Sequence, residues 1–170
     1  MKKYTILKNW HYAFFLIQRA LGWSWNKTEF HIKFKLSNEC WWTPVRNDND
    51  YDLNKLCGIS FGLFAIHKNS VRLAWVPDFN NKDMMRIYGY TYDGVDHIFE
   101  YICTVNTDAT YNAKIVIKDD RYIISVENNQ IEMENITQDR HIQKRTYPYF
   151  GGNNRAPNTM YVWECIESFI

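Results

Sequence analysis

The sequence predicts an all-β protein, an antiparallel β-sandwich or jelly-roll, with room for a short helix near its N-terminus. Three observations predict it. Aromatic residues fill 17% of the 170 positions, and rings suit the pleated, half-buried surface of strands. Apolar residues recur at every second position in several segments, the period at which side chains share one sheet face. Asp-Gly, Asp-Asp and Asn-Asn pairs separate those segments where hairpins need turns. No alternation of strand and helix patterns and no internal repeat competes with this reading.

The first segment stays open between two forms. Ile6, Trp10, Phe14, Ile17 and Leu21 recur near helical spacing, yet Leu7 to Phe15 also reads as extended; Gly22 ends either element. Phe30, Ile32, Phe34 and Leu36 then alternate with His31, Lys33 and Lys35, the pattern of a strand with one wet face. Pro44 to Asp52 reads as a surface loop. Leu56 to Ile66 is apolar on both alternating sets, as in a central strand covered on both sides, with Gly58 and Gly62 permitting close approach or a bend. Val71, Leu73 and Trp75 form the next alternating set before Pro77.

Asp93-Gly94 predicts a two-residue type I′ hairpin that pairs Tyr92 with Val95, Tyr90 with His97, Tyr88 with Phe99 and Arg86 with Tyr101. One face then carries Arg86, Tyr88, Tyr90, Tyr92, His97, Phe99 and Tyr101, and the other Met85, Ile87, Ile98 and Ile102. Asp119-Asp120 joins Lys118 to Arg121, which puts Ile115, Ile117, Tyr122, Ile124 and Val126 on one face and Lys114, Lys118 and Arg121 on the other. Asn128-Asn129 is expected to set Val126 opposite Ile131 and Ile124 opposite Met133. Tyr147 to Pro157 reads as a structured loop anchored by aromatics, and Met160 to Ile170 as a closing strand.

A chain of 170 residues with 46% hydrophobic positions is expected to form one domain spanning residues 1–170. A net charge of +1 gives no long-range field toward nucleic acid or anionic lipid. Cys40, Cys57, Cys103 and Cys165 lack metal-binding spacing and read as free, mostly buried thiols. Met1-Lys2-Lys3 resembles the start of an export signal, but Lys8, Asn9, His11, Gln18 and Arg19 break the apolar run that should follow, which favours the cytoplasm. No apolar run is long enough for a transmembrane helix.

Leu53-Asn54-Lys55-Leu56-Cys57-Gly58-Ile59-Ser60-Phe61-Gly62, His67 to Trp75, Tyr149-Phe150-Gly151-Gly152-Asn153 and Ala156-Pro157 together resemble a family of uncharacterised bacterial proteins. That resemblance implies a β-sandwich of lectin-like architecture with no assigned activity. Where that family commonly carries two histidines this chain has Ala65-Ile66-His67, so no paired-histidine site is carried over.

The leading functional expectation is a noncatalytic module for a glycan or other small ligand. Tyr88, Tyr90, Tyr92 and His97 offer a shallow aromatic surface beside Arg86, able to stack on a sugar ring and bond its hydroxyls, with Trp41 and Trp42 as a second edge. The competing explanation makes the same face an inter-sheet core, and an alternative function is a protein-interaction or homo-oligomer surface. Glu132 and Glu134, on one sheet face, are the weaker enzymatic reading as a glycoside-hydrolase pair. Asp48, Asp50 and Asp52 lack the glycine and terminal glutamate of a calcium loop, and the five histidines lack zinc spacing, so neither metal nor other cofactor is expected. Lys114, Lys118 and Arg121 form too small a patch for nucleic acid, with Glu132 and Glu134 nearby.

Overall fold

The computed structural model of the chain describes residues 1–13, 23–43, 52–62, 68–137, 141–151 and 154–169. These residues form two six-stranded antiparallel sheets facing one another, the expected β-sandwich. The strands are β1 (Lys2–Ile6), β2 (Trp23–Trp25), β3 (Glu29–Leu36), β4 (Asn54–Phe61), β5 (Ser70–Pro77) and β6 (Met84–Tyr92), followed by β7 (His97–Asn106), β8 (Thr110–Ile117), β9 (Arg121–Val126), β10 (Asn129–Glu134), β11 (Ile142–Thr146) and β12 (Met160–Phe169). One sheet runs β1-β12-β3-β8-β9-β10 and the other β2-β11-β4-β5-β6-β7. We call them the A sheet and the B sheet.

The core fills the space between them. Phe30, Ile32, Phe34 and Leu36 from β3, and Ile115, Tyr122 and Ile124 from β8 and β9, meet Ile59, Phe61, Leu73, Trp75 and Ile87 of the B sheet, all buried. Alternation on β3 is as regular as its sequence, because one face meets the core and the other water. Gly58 lies so close to β5 that a Cβ there would sit 2.2 Å from the Val71 carbonyl oxygen, which is the close approach its place in an apolar strand suggests.

The Asp119-Asp120 turn has the expected register, with Ile117 opposite Tyr122 and Ile115 opposite Ile124. Two other turns differ. Between β6 and β7 the connection is the four residues 93–96, because the Asp93 carboxylate accepts hydrogen bonds from the backbone N–H of Val95 and of Asp96, both at 2.7 Å, and holds a wider loop. Tyr92 therefore pairs with His97, Tyr90 with Phe99 and Tyr88 with Tyr101. Between β9 and β10, Glu127 itself takes the left-handed conformation (φ 49°), so Val126 pairs with Asn129 and Ile124 with Ile131. Both turns shift the register by two residues, which keeps the side chains next to them on their expected faces. Further along, an irregularity between Ile87 and Tyr88 makes Ile102 an extra residue, so Arg86 pairs with Thr104 rather than Tyr101, and Ile102 and Cys103 both enter the core.

The segment 6–21, left open between helix and strand, falls mostly outside the described residues; over 7–13 the chain is a turn and isolated bridges. Asp48 and Asp50 lie outside them as well. All four cysteines are free and three are buried. Among the described residues no helix is long and apolar enough to cross a membrane.

Candidate functional site

The outer face of the B sheet carries the candidate site. Register pairs Arg72 with Tyr90, Ala74 with Tyr88 and Val76 with Arg86, so these six share that face while Val71, Leu73 and Trp75 enter the core. The tyrosine row is thus not the inter-sheet core.

A β-bulge in β4 adds the next residue. Lys55 pairs with Ala74 but Cys57 pairs with Leu73, so Leu56 is the extra residue. Leu56 and Cys57 both enter the core, and Lys55 is left aimed outward beside Tyr90. Its ammonium lies 4.7 Å from the Tyr90 ring centroid and donates to the Leu53 carbonyl at 2.8 Å. The segment after β11 supplies the opposite wall. Tyr149 exchanges both backbone hydrogen bonds with Lys55, at 2.8 Å each, and Gly151, at φ 62°, donates its N–H to the buried Asn54 side chain. Tyr12 packs edge-on to Tyr149, with centroids 5.0 Å apart.

These elements enclose a cleft of about 480 Å³ lined by Tyr12, Lys55, Arg72, Tyr90, Tyr92 and His97, with Val95, Tyr149 and Gly151 completing it. Burial and the neighbouring Arg72 charge push the Lys55 ammonium down to about 8. Burial lowers the Arg72 guanidinium to about 10, and its Nε donates to Ser70 at 3.1 Å. The Tyr90 phenol is raised, mainly by burial and against the pull of Arg72; Tyr149 is raised by burial too. His97 stacks on Tyr90 with centroids 5.9 Å apart. Two cations beside phenols and an imidazole suit a ligand that combines carboxylate charge with sugar faces.

Of the residues expected from sequence, Tyr90, Tyr92 and His97 line this cleft. Tyr88 shares the face but packs edge-on to Phe99 and Tyr101. Arg86 is bound to Asp78 at 2.9 Å. Trp41 donates its indole N–H to the Asp78 carbonyl, and Trp42 packs among Trp75, Phe79 and Phe150, so neither tryptophan is brought to the cleft. Lys55 and Arg72 were missed. Arg72 was visible as a charge between Val71 and Leu73, where a strand buried on both faces has no place for one.

Glu132 binds Arg121 at 2.9 Å on the exposed face of an A-sheet edge strand, so the glutamate pair has no cleft around it. Arg121 is held by Asp120 and Glu132, and Lys114 lies 3.7 Å from Glu29, which leaves the small basic patch largely neutralised. Among the described residues no cluster of His, Cys, Asp and Glu could hold a metal ion.

The sequence matches no family model and no curated protein. The fold is nevertheless that of solved polysaccharide-degrading enzymes. Alginate lyase AlyC3 aligns with a TM-score of 0.59 at 5% identity, over 98% of this chain and 74% of that one. The family 7 alginate lyase A1-II′, in a tyrosine-to-phenylalanine variant complexed with product, aligns with a TM-score of 0.52 at 9% identity over 88% of this chain. The marine PL7 alginate lyase AlyA1 from Zobellia galactanivorans aligns with a TM-score of 0.53 at 11% identity over 85% of this chain. This chain spans 66% and 64% of the length of the last two.

At such identity the likeness is one of fold, and it corrects three expectations. The structures sharing this sandwich are characterised enzymes rather than an uncharacterised lectin-like family, so that kinship is withdrawn, and with it the expectations of a noncatalytic module and of a non-enzyme. The motif segments behind the resemblance have structural duties that explain why they misled. Leu53 to Gly62 is mostly a core strand, and Tyr149 to Gly151 a loop anchor, roles that many sandwiches share.

Proposed function

We propose that the chain is a polysaccharide lyase that cleaves an acidic, uronate-containing polymer by β-elimination. The observation that carries this reading is the Lys55–Arg72 cation pair in the tyrosine-walled cleft, on the outer sheet face of a sandwich shared with alginate lyases. A uronate carboxylate paired with two cations loses most of its charge, which acidifies the carbon–hydrogen bond beside it. That bond breaks to a base, its electrons form a carbon–carbon double bond, and the bond to the leaving sugar oxygen breaks as that oxygen takes a proton.

Arg72 and Lys55 hold the carboxylate. Tyr90, whose phenol burial keeps protonated, is assigned as donor to the leaving oxygen, and His97, stacked upon it, as proton acceptor. No metal is needed in this scheme, since the two side-chain cations neutralise the charge. The test is mass spectrometry of products after incubation with alginate, polygalacturonate, a glycosaminoglycan and a neutral glucan. Products from an acidic polymer that are one water lighter than hydrolysis products are expected. Hydrolysis-mass products, or cleavage of the neutral glucan alone, would sink the proposal.

A further inference from the structure

The outer face of the B sheet does not end at the cleft. Lys144 on β11 pairs with Ser60 of β4, Ser60 with Ser70 of β5, and Ser70 with Tyr92 of β6, so one unbroken register row links β11 to the cleft wall. On its other side Lys144 pairs with Trp23 of β2. Trp23 and Trp25, two residues apart on one strand, therefore share the sheet face of Arg72 and Tyr90. They are among the most exposed large apolar side chains described, at 47% and 62%. Each has a basic neighbour: the Lys144 ammonium lies 4.8 Å from the Trp23 ring centroid, and the His141 imidazole stacks on Trp25 at 6.2 Å.

Exposed tryptophans cost solvation unless something covers them, and here the Lys144 ammonium lies over the Trp23 ring while the His141 imidazole stacks on Trp25. A sugar ring stacks on an indole, and a lysine beside it meets a carboxylate on the same sugar. The stretch from β2 to β6 crosses four strand spacings of about 4.8 Å, roughly 19 Å, the length of several sugar rings. We infer that Trp23 and Trp25, with Lys144, form a distal subsite that grips the same acidic polysaccharide chain beyond the cleft. The occupant follows from continuity with the cleft along one register row and from the Lys144 ammonium over Trp23, which repeats the pairing of Lys55 with Tyr90 in the cleft. The inference rests on the reading of the cleft given above, and makes the protein selective for long chains.

The experiment compares the wild type with a Trp23→Ala/Trp25→Ala double variant in native gels containing alginate, polygalacturonate, a glycosaminoglycan or a neutral glucan, and in kinetics on polymer and on trisaccharide. Thermal melting of both proteins, and a Trp25→Tyr variant that keeps a stacking ring, separate lost binding from lost folding. Retardation of the wild type by alginate is expected, reduced in the double variant and largely kept by Trp25→Tyr. The rise in KM on polymer is expected to exceed that on trisaccharide by roughly tenfold, the scale of one stacking contact. Equal retardation of wild type and double variant, with an unchanged polymer-to-trisaccharide ratio, would overturn the distal subsite and leave the cleft reading intact. A wild type neither retarded by nor active on alginate, polygalacturonate or a glycosaminoglycan would overturn the cleft reading and the subsite together.

Discussion

Single ionisable groups set the pH behaviour expected of this protein. Lys55 has its ammonium pushed down to about 8, so it is charged below that pH and neutral above it. If the cleft acts as the proposed lyase site, one of the two cations assigned to the substrate carboxylate is then lost as pH rises through about 8, and kcat/KM, which reports the free enzyme, is expected to fall there. Lys55→Arg, charged throughout, should move that fall to higher pH; a fall unmoved in this variant would remove Lys55 from the carboxylate site. Glu164 acts on stability instead. It is buried with Oε2 unpartnered among the described residues, and desolvation raises its carboxyl to about 7 despite hydrogen bonds from Tyr4 and Cys57 and the charges of Arg145 and Lys2. A carboxyl whose folded value exceeds its unfolded one gives stability that is complete below the unfolded value near 4.5 and is lost as pH rises through about 7. The loss is on the order of 3 kcal/mol, and urea titrations at pH 5 and 8 should show it shrinking in Glu164→Gln. Part of this scale was legible in sequence: alternation on either side of the Asp93-Gly94 turn put Tyr90, Tyr92 and His97 on one face, though Arg86, Tyr88, Trp41 and Trp42, named with them, do not line the cleft. Lys55 was not, because an unpaired bulge residue decides which way it points, and no sequence period marks a bulge.

At the scale of strands, one turn was read correctly and two were not, one because a carboxylate caps a wider loop and the other because a non-glycine residue takes the left-handed conformation. Asp119-Asp120 gave the right register, whereas the Asp93 carboxylate and the left-handed Glu127 each moved the pairing by two. Faces beside the turns survived because the side-chain period is also two, and the parity of β7 changes only past the extra residue Ile102. The contact between β4 and β5 is less forgiving. With the Val71 carbonyl 2.2 Å and the Arg72 Cα 2.5 Å from a Cβ at position 58, Gly58→Ala must push backbone apart directly beside the cleft cation. It is expected to cost about 1–3 kcal/mol by overpacking and to lower turnover more than a substitution of equal cost in the A sheet. Denaturant unfolding beside steady-state kinetics checks this, and unchanged stability would show that the two strands can separate without penalty.

For the whole molecule, sequence sufficed for the sandwich because composition, period and turn spacing all express the same demand, that each sheet hide one face. It did not suffice for function. The cleft is assembled from β4, β5, β6 and the segments around Tyr12 and Tyr149, which meet only when the B sheet forms, and no local motif records that meeting. The central claim is that this outer face eliminates across a glycosidic bond with Arg72 neutralising the carboxylate. The most direct test follows ultraviolet absorbance of the new double bond during incubation with alginate, for the wild type and for Arg72→Met, a variant of similar length without charge. Steady growth of absorbance with wild type, reduced roughly 100-fold in a folded Arg72→Met protein, is the predicted result; absorbance that grows equally with both proteins would contradict it.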